Sequence, residues 1–175
     1  MTDADIRIHV NGQAVTVSAK DTDMSLAEYL HERLDLTGTK VCCGIGVCRA
    51  CTVGIRYRPD ALMEKTLACT TTVSAIANQH VFTVEGLAQG NGPSALQQRF
   101  LESFAFQCGY CTPGFLMAAT AMLDHLKEYR VPADQLDATI ETGVGGNLCR
   151  CTGYVKYKQA IKAVAESQIK GGARS

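Results

Sequence analysis

Lys and Arg together number 17, as do Asp and Glu, so the 175-residue chain has no net charge. Without a basic stripe it lacks the electrostatic footprint of a nucleic-acid partner. No apolar run approaches the roughly 18 residues that a membrane-crossing helix needs. The start, Met1-Thr2-Asp3-Ala4-Asp5, has neither an apolar signal core nor a twin arginine, and the expectation is a chain with no export tag of its own. Histidine is sparse: His9, His31, His80 and His125 stand far apart, each read as a surface or packing residue, so ligation of an iron centre by paired imidazoles is not expected. Internal repeats are absent as well.

Cysteine is abundant, with nine in the chain. Where no export signal is read, that number points to metal or redox chemistry rather than a disulfide framework. Eight form two groups of four. Cys43, Cys48 and Cys51, followed by Cys69, have the C-x4-C-x2-C…C spacing by which plant-type ferredoxins hold a [2Fe–2S] cluster. Thiolate is the soft ligand such clusters require. Gly44 and Gly46 let that loop adopt positive φ and turn its N–H groups toward a buried anion. The second group is Cys108-x2-Cys111 with Cys149-x-Cys151, where Gly145, Gly146 and Gly153 permit a bend. A structural zinc site is the competing reading of the first group. A thioredoxin-like pair competes for Cys108 and Cys111, although no βαβ setting surrounds them. Cys42 is left over; a buried inert thiol is its expected role, with a spare ligand or an oxidation-sensitive thiol as alternatives.

The periodicities predict an α+β chain. Ile6, Ile8 and Val10 alternate up to an Asn11-Gly12 turn, and Val15 and Val17 continue the alternation, which is a hairpin pattern. Ser25 and Glu28 resemble a capping box before Leu26, Tyr29, Leu30 and Leu34, with Gly38 as the helix stop. Residues 52–58 and 66–72 read as a second hairpin and 81–84 as a last strand. After a Gly- and Pro-rich linker the pattern becomes helical. Leu96, Phe100, Leu101 and Phe104 share one face behind a Ser94 cap. Thr112 is expected to cap a helix with Pro113 at its first position, carrying Phe115, Ala119, Met122, Leu123 and Leu126. Shorter helices follow around Leu136 and Ile140, and through Tyr157, Ala160, Ile161 and Val164. Four helices with short connections suggest an antiparallel bundle. Boundaries are expected at 1–86, 87–93 for the linker, 94–170, and 171–175 for a frayed tail. The second cysteine group falls at helix starts, where free N–H groups and the dipole favour an anion.

Three strings then carry a resemblance: Gly38-Thr39-Lys40 with Cys43-Gly44 and Cys48 to Val53; Gln107-Cys108-Gly109-Tyr110-Cys111-Thr112-Pro113-Gly114; and Gly146-Asn147-Leu148-Cys149-Arg150-Cys151-Thr152-Gly153-Tyr154. In this order they resemble the iron–sulfur subunits of molybdenum hydroxylases, the xanthine dehydrogenase and aldehyde oxidoreductase group. The resemblance covers nearly the whole chain. It implies a β-grasp, plant-ferredoxin-like domain with one [2Fe–2S] cluster on Cys43, Cys48, Cys51 and Cys69, then a four-helix domain with a second on Cys108, Cys111, Cys149 and Cys151. It also implies that Gln107 and Cys151 approach the molybdopterin of a separate large subunit. Electrons released by hydroxylation at molybdenum would leave through both clusters to a flavin (FAD) or c-type cytochrome (haem) subunit. Three departures stand out: Cys42 where glycine is frequent, Ile45 and Arg49 in place of glutamate and glycine, and a longer Cys51-to-Cys69 interval with 57–63 inserted near a hairpin tip.

Two functions follow as expectations. One is the electron-transfer subunit of an oxidoreductase complex, with substrate chemistry in the partner and no catalytic residue here. The other is a stand-alone two-cluster carrier or a metal-dependent docking module. The expected location is cytoplasmic, with export in the company of a signal-bearing partner as the alternative.

Overall fold

Residues 4–88, 90 and 92–171 are described by a computed structural model. The acidic start at 1–3, Gln89 and Asn91 of the expected linker, and 172–175 of the expected tail lie outside the described residues. The first hairpin forms as its alternation predicts: β1 (Ile6–Val10) pairs antiparallel with β2 (Gln13–Val17). Asn11 and Gly12 between them hold φ of 50° and 86°, the left-handed pair a two-residue turn requires. Asn11 does more than turn the chain, since its side chain bonds both the hydroxyl and the N–H of Thr83 at 2.9 Å.

α1 (Leu26–Glu32) starts at Ser25, whose hydroxyl accepts from the Glu28 N–H at 3.2 Å. It ends earlier than expected. Asp35 takes a φ of 54° and Leu36 N–H reaches back to Leu30 C=O at 2.8 Å, so Leu34 lies past the helix and Gly38 is not its stop. Leu26, Ala27, Tyr29 and Leu30 bury against Ile8, Val17, Val53 and Val81 of the sheet.

β3 (Thr52–Arg56) pairs antiparallel with β4 (Glu64–Leu67), and β5 (His80–Phe82) lies between β1 and β3. The strand order is β2-β1-β5-β3-β4, with β1 and β5 parallel and the other pairs antiparallel. The expected strand at 66–72 is corrected to 64–67: past Leu67 the chain turns, Thr70 N–H bonding Leu67 C=O, and Cys69 leaves the ladder. The last strand is likewise one residue earlier at its start, and Val84 opens a single 3₁₀ turn over Val84–Leu87.

In the second half, α2 (Ala95–Glu102) begins with a full capping box between Ser94 and Gln97. Leu96 and Phe100 are buried, but Leu101 and Phe104 are 50% and 78% exposed. Phe104 misses the expected apolar face because α2 stops at Glu102 and Phe104 turns to a φ of 46°, whereas Leu101, still inside α2, sits about 100° round the helix from the buried Phe100. α3 (Thr112–Glu128) starts one residue earlier than expected, at Thr112 itself, with Cys111 at the cap position and Pro113 inside the first turn, where a missing N–H costs nothing. Thr112 cannot cap, its hydroxyl being bonded to Tyr157 Oη at 2.8 Å. α4 (Leu136–Val144) and α5 (Val155–Gly171) complete the described helices. Phe100, Phe115, Ile140, Tyr157 and Ile161 form the centre of this second core.

The whole is an α+β protein, a small mixed sheet with one helix followed by a helical half, among the described residues. α3 joins the two. Met117 and Ala121 on its sheet-facing side pack with Met63, and Asp124 accepts from Arg56 Nη2 at 2.9 Å and Met63 N–H at 3.0 Å. Residues 57–63 do connect β3 to β4, as the expected hairpin tip.

Candidate metal centres

The loop from α1 to β3 carries the first cysteine group. Gly44 and Gly46 take φ of 69° and 77°, folding the chain so that Cys48 N–H points at Cys43 Sγ at 3.4 Å. That N–H, with those of Ile45 and Val47, pulls the Cys43 thiol down to a pKa of about 6. Cys51 is opposite in character: buried at the foot of β3, it is pushed up to about 12 by desolvation, and its sulfur lies beside Cys69. Cys69 reaches it because the chain leaves β4 at Leu67, Ala68 N–H bonding Cys51 C=O at 3.2 Å. Cys42 is exposed, not buried, which corrects its expected role as an interior thiol. Its sulfur nonetheless lies beside that of Cys48, whose charge is the largest influence raising the Cys42 pKa.

The second group gathers where α3 and α5 begin. Cys111 is buried at the start of α3, and desolvation raises its thiol to about 11, with Tyr157 Oη 3.5 Å from its sulfur. Cys149 stands next to Cys111. Burial is the largest influence on the Cys149 thiol and raises it, yet bonds from the Thr152 hydroxyl at 3.1 Å and the N–H groups of Cys151 and Thr152 outweigh it, and the net direction is down. Cys108 and Cys151 are exposed with sulfurs 3.6 Å apart. Gly109, Gly153 and Tyr154, at φ of 79°, 64° and 70°, supply the bends. Gly145 does not, being helical.

The eight expected ligands therefore meet two by two, Cys43 with Cys48, Cys51 with Cys69, Cys108 with Cys151, and Cys111 with Cys149, while Cys42 adds a further thiol beside Cys48. All nine cysteines are free, and among the described residues no three His, Cys, Asp or Glu side chains close around a single-ion site. Cys108 and Cys111 pair with the later loop and not with each other, unlike a C-x-x-C redox couple. Two thiols for each of two irons is the donor set a [2Fe–2S] cluster takes, and N–H and O–H groups aimed at sulfur are what offsets its negative charge. The residues present fit that group in both places. When bound, such a cluster accepts or releases one electron.

The two loops are also stitched together. Leu148 N–H bonds Cys48 C=O at 3.0 Å, Tyr110 Oη bonds Val41 C=O at 2.6 Å, and the buried Asn147 donates to Arg49 C=O at 2.9 Å. Sequence reasoning singled out none of these contacts; only Asn147, a polar residue between glycine and the cysteine pair, carried a signal that could have found it. Gln107 is exposed next to Cys108, whose sulfur meets that of the exposed Cys151. In the cysteine-bearing segments Ile45, Val47, Tyr110 and Leu148 are 72%, 59%, 46% and 50% exposed.

Comparison with known proteins agrees with this geometry. Residues 8–74 match the family described as a 2Fe-2S iron-sulfur cluster binding domain, and residues 83–162 match the one described as a [2Fe-2S] binding domain. The chain is 37% identical over 92% of its length to the nicotinate dehydrogenase small FeS subunit of Eubacterium barkeri, covering 94% of that protein. It is 43% identical over 96% of its length to a probable xanthine dehydrogenase component of Bacillus subtilis, covering 88% of it. Among solved structures, quinoline 2-oxidoreductase from Pseudomonas putida 86 superimposes with a TM-score of 0.79 at 36% identity, over 97% of this chain and 98% of that one. The chain belongs to the small iron–sulfur subunits of the molybdenum hydroxylases, the xanthine dehydrogenase and aldehyde oxidoreductase family.

Proposed function

We propose that this chain joins a large molybdenum-containing subunit to a flavin or c-type cytochrome subunit as the electron-transfer component of an oxidoreductase complex. The observation that carries the proposal is the pairing of eight thiols in two groups whose loops share the Leu148-to-Cys48 hydrogen bond. Cys43, Cys48, Cys51 and Cys69 hold one [2Fe–2S] cluster; Cys108, Cys111, Cys149 and Cys151 hold the other. The first lies in a β-grasp domain at 1–86, supported by the sheet order and by α1 packed on one face. The second lies in a four-helix domain at 94–170, supported by a core that draws on α2, α3, α4 and α5. Residues 87–93 link them.

Each side chain has a definable task. Cys43, under three N–H groups, gives up its proton most readily and offers the first thiolate to iron. The buried Cys51 and Cys111 exclude water from the inner side of each centre. Tyr157 and Thr152 present hydroxyls to sulfur. Gln107 and Cys151 face the molybdopterin of the large subunit, supported by the exposure of both and by the contact of Cys151 with Cys108, the neighbour of Gln107. The substrate is chosen in that partner.

Purified complex should contain about four irons per chain, with equivalent acid-labile sulfide, and two distinct EPR signals on reduction. Cys108→Ser should abolish one signal and reduction of the external acceptor. Zinc in place of iron, or acceptor reduction that survives Cys108→Ser, would overturn the proposal.

A further inference from the structure

Arg49 stands between Cys48 and Cys51 with a φ of 59°, a left-handed conformation that long side chains rarely adopt. Its backbone is fixed from three directions: Arg49 C=O accepts from Asn147 Nδ2 at 2.9 Å, Thr52 Oγ1 at 2.7 Å and Thr52 N–H at 3.2 Å. From that anchor the side chain crosses to the other cysteine loop. A Cβ on Gly146 would lie 2.2 Å from Arg49 Nη1, 2.3 Å from Cζ and 2.7 Å from Nε. The guanidinium therefore occupies the space that glycine leaves three residues before Cys149.

Among the described residues no carboxylate forms an ion pair with this cation. A second cation lies close, because Lys65, which donates to Gly143 C=O at 2.7 Å, has its pKa lowered first by burial and then by the Arg49 charge. Glu64 offsets Lys65 in part, and Glu141 beside Gly145 is paired with Lys158, so among the described residues the guanidinium of Arg49 is left to set a positive field at the seam of the two loops.

We propose that Arg49 is an electrostatic positioning residue whose guanidinium, lodged over Gly146 between the two cysteine loops, stabilises the added electron and raises the reduction potential of both clusters. The inference rests on the cluster assignment proposed above. Reduction adds one electron to one ferric iron, drawn from the molybdenum-bearing partner, with no bond broken and no proton taken up, so the centre's charge falls by one. A fixed cation favours that state, and guanidinium stays charged at any working pH. Arg49 is solvent-exposed, so the effect is partly screened by salt.

The test is an EPR-monitored redox titration of the purified complex. Arg49→Gln should reduce the ratio of reduced to oxidised cluster at a fixed potential by about two- to tenfold in both centres, tenfold being about 59 mV for a one-electron couple. Arg49→Lys should restore most of it. Gly146→Ala keeps the charge but evicts the guanidinium, and should give an intermediate shift. The difference between wild type and Arg49→Gln should shrink as ionic strength rises. Unchanged potentials in Arg49→Gln with both signals at full intensity overturn the proposal, as does an equal fall in Arg49→Lys, which would mark packing rather than charge. If Arg49→Gln fails to retain a cluster, an unchanged potential in Gly146→Ala overturns it instead. Loss of both signals from the wild-type complex would overturn the cluster assignment, a distinguishable result.

Discussion

Gly114, in the first turn of α3, decides how closely that helix can approach the first cysteine loop. A Cβ placed there would lie 2.6 Å from Arg49 C=O oxygen, 2.8 Å from Ala50 O and 3.1 Å from Ala50 C. All three are backbone atoms, so no side chain can swing aside. Ordinary contact begins near 3.4 Å, so the helix and the loop must part by about 0.6–0.8 Å, the shortfall at the two oxygens. α3 has little freedom to move: Phe115, Leu116 and Ala119 are locked in the helical core, while Met117 and Ala121 press on Met63. Overpacking against backbone that cannot swing aside falls in the upper part of the usual range, about 2–3 kcal/mol, offset by about 1 kcal/mol from the better helix propensity of alanine. Gly114→Ala should therefore be destabilised by roughly 1–2 kcal/mol, a fall of about 2–8 °C in the thermal midpoint for a chain of this size. Thermal loss of the visible cluster absorbance reads it out. Gly92→Ala is the control, since nothing lies within 4 Å of its Cβ. A Gly114→Ala midpoint indistinguishable from that control would refute the close-approach reasoning.

Tyr157→Phe keeps the ring stacked on Phe115 at 4.4 Å but removes the hydroxyl shared by Thr112 and Cys111; it should cost about 0.5–1.5 kcal/mol and lower the potential of one cluster while leaving the other unchanged, seen by redox titration. Asp124→Ala strands Arg56 and the Met63 N–H; with both side chains largely buried but not sealed, a loss of about 2–3 kcal/mol is expected in denaturant unfolding, below the full cost of breaking a buried pair. Loading of iron and sulfide into metal-free protein should rise from pH 7 to pH 9. Cys51 and Cys111, raised to about 12 and 11, hold protons across that range and must lose them to bind metal, whereas Cys43, lowered to about 6, has already lost its own. A flat pH profile would contradict this.

Features that depend on a few consecutive residues were legible without any structure. Asn11-Gly12 specifies its turn because both residues tolerate positive φ, and Ser94 with Gln97 satisfies the free N–H groups of a helix within one turn. The spacing of Cys43, Cys48 and Cys51 announced the first iron–sulfur centre for the same reason, since a loop of fixed length either can or cannot wrap a cluster, whereas the second group was legible through its family resemblance. Tertiary packing alone decided which thiols meet, since Cys108 and Cys151 come together only when α3 and α5 start side by side. Also unread in the sequence were the stop of α1 at Glu32, the outward facing of Leu101 and Phe104, and the exposure of Cys42. The contact of Arg49 with Gly146 belongs to the same class. Local backbone preference is written in neighbouring residues, whereas the meeting of distant side chains is settled by how two cores share one helix.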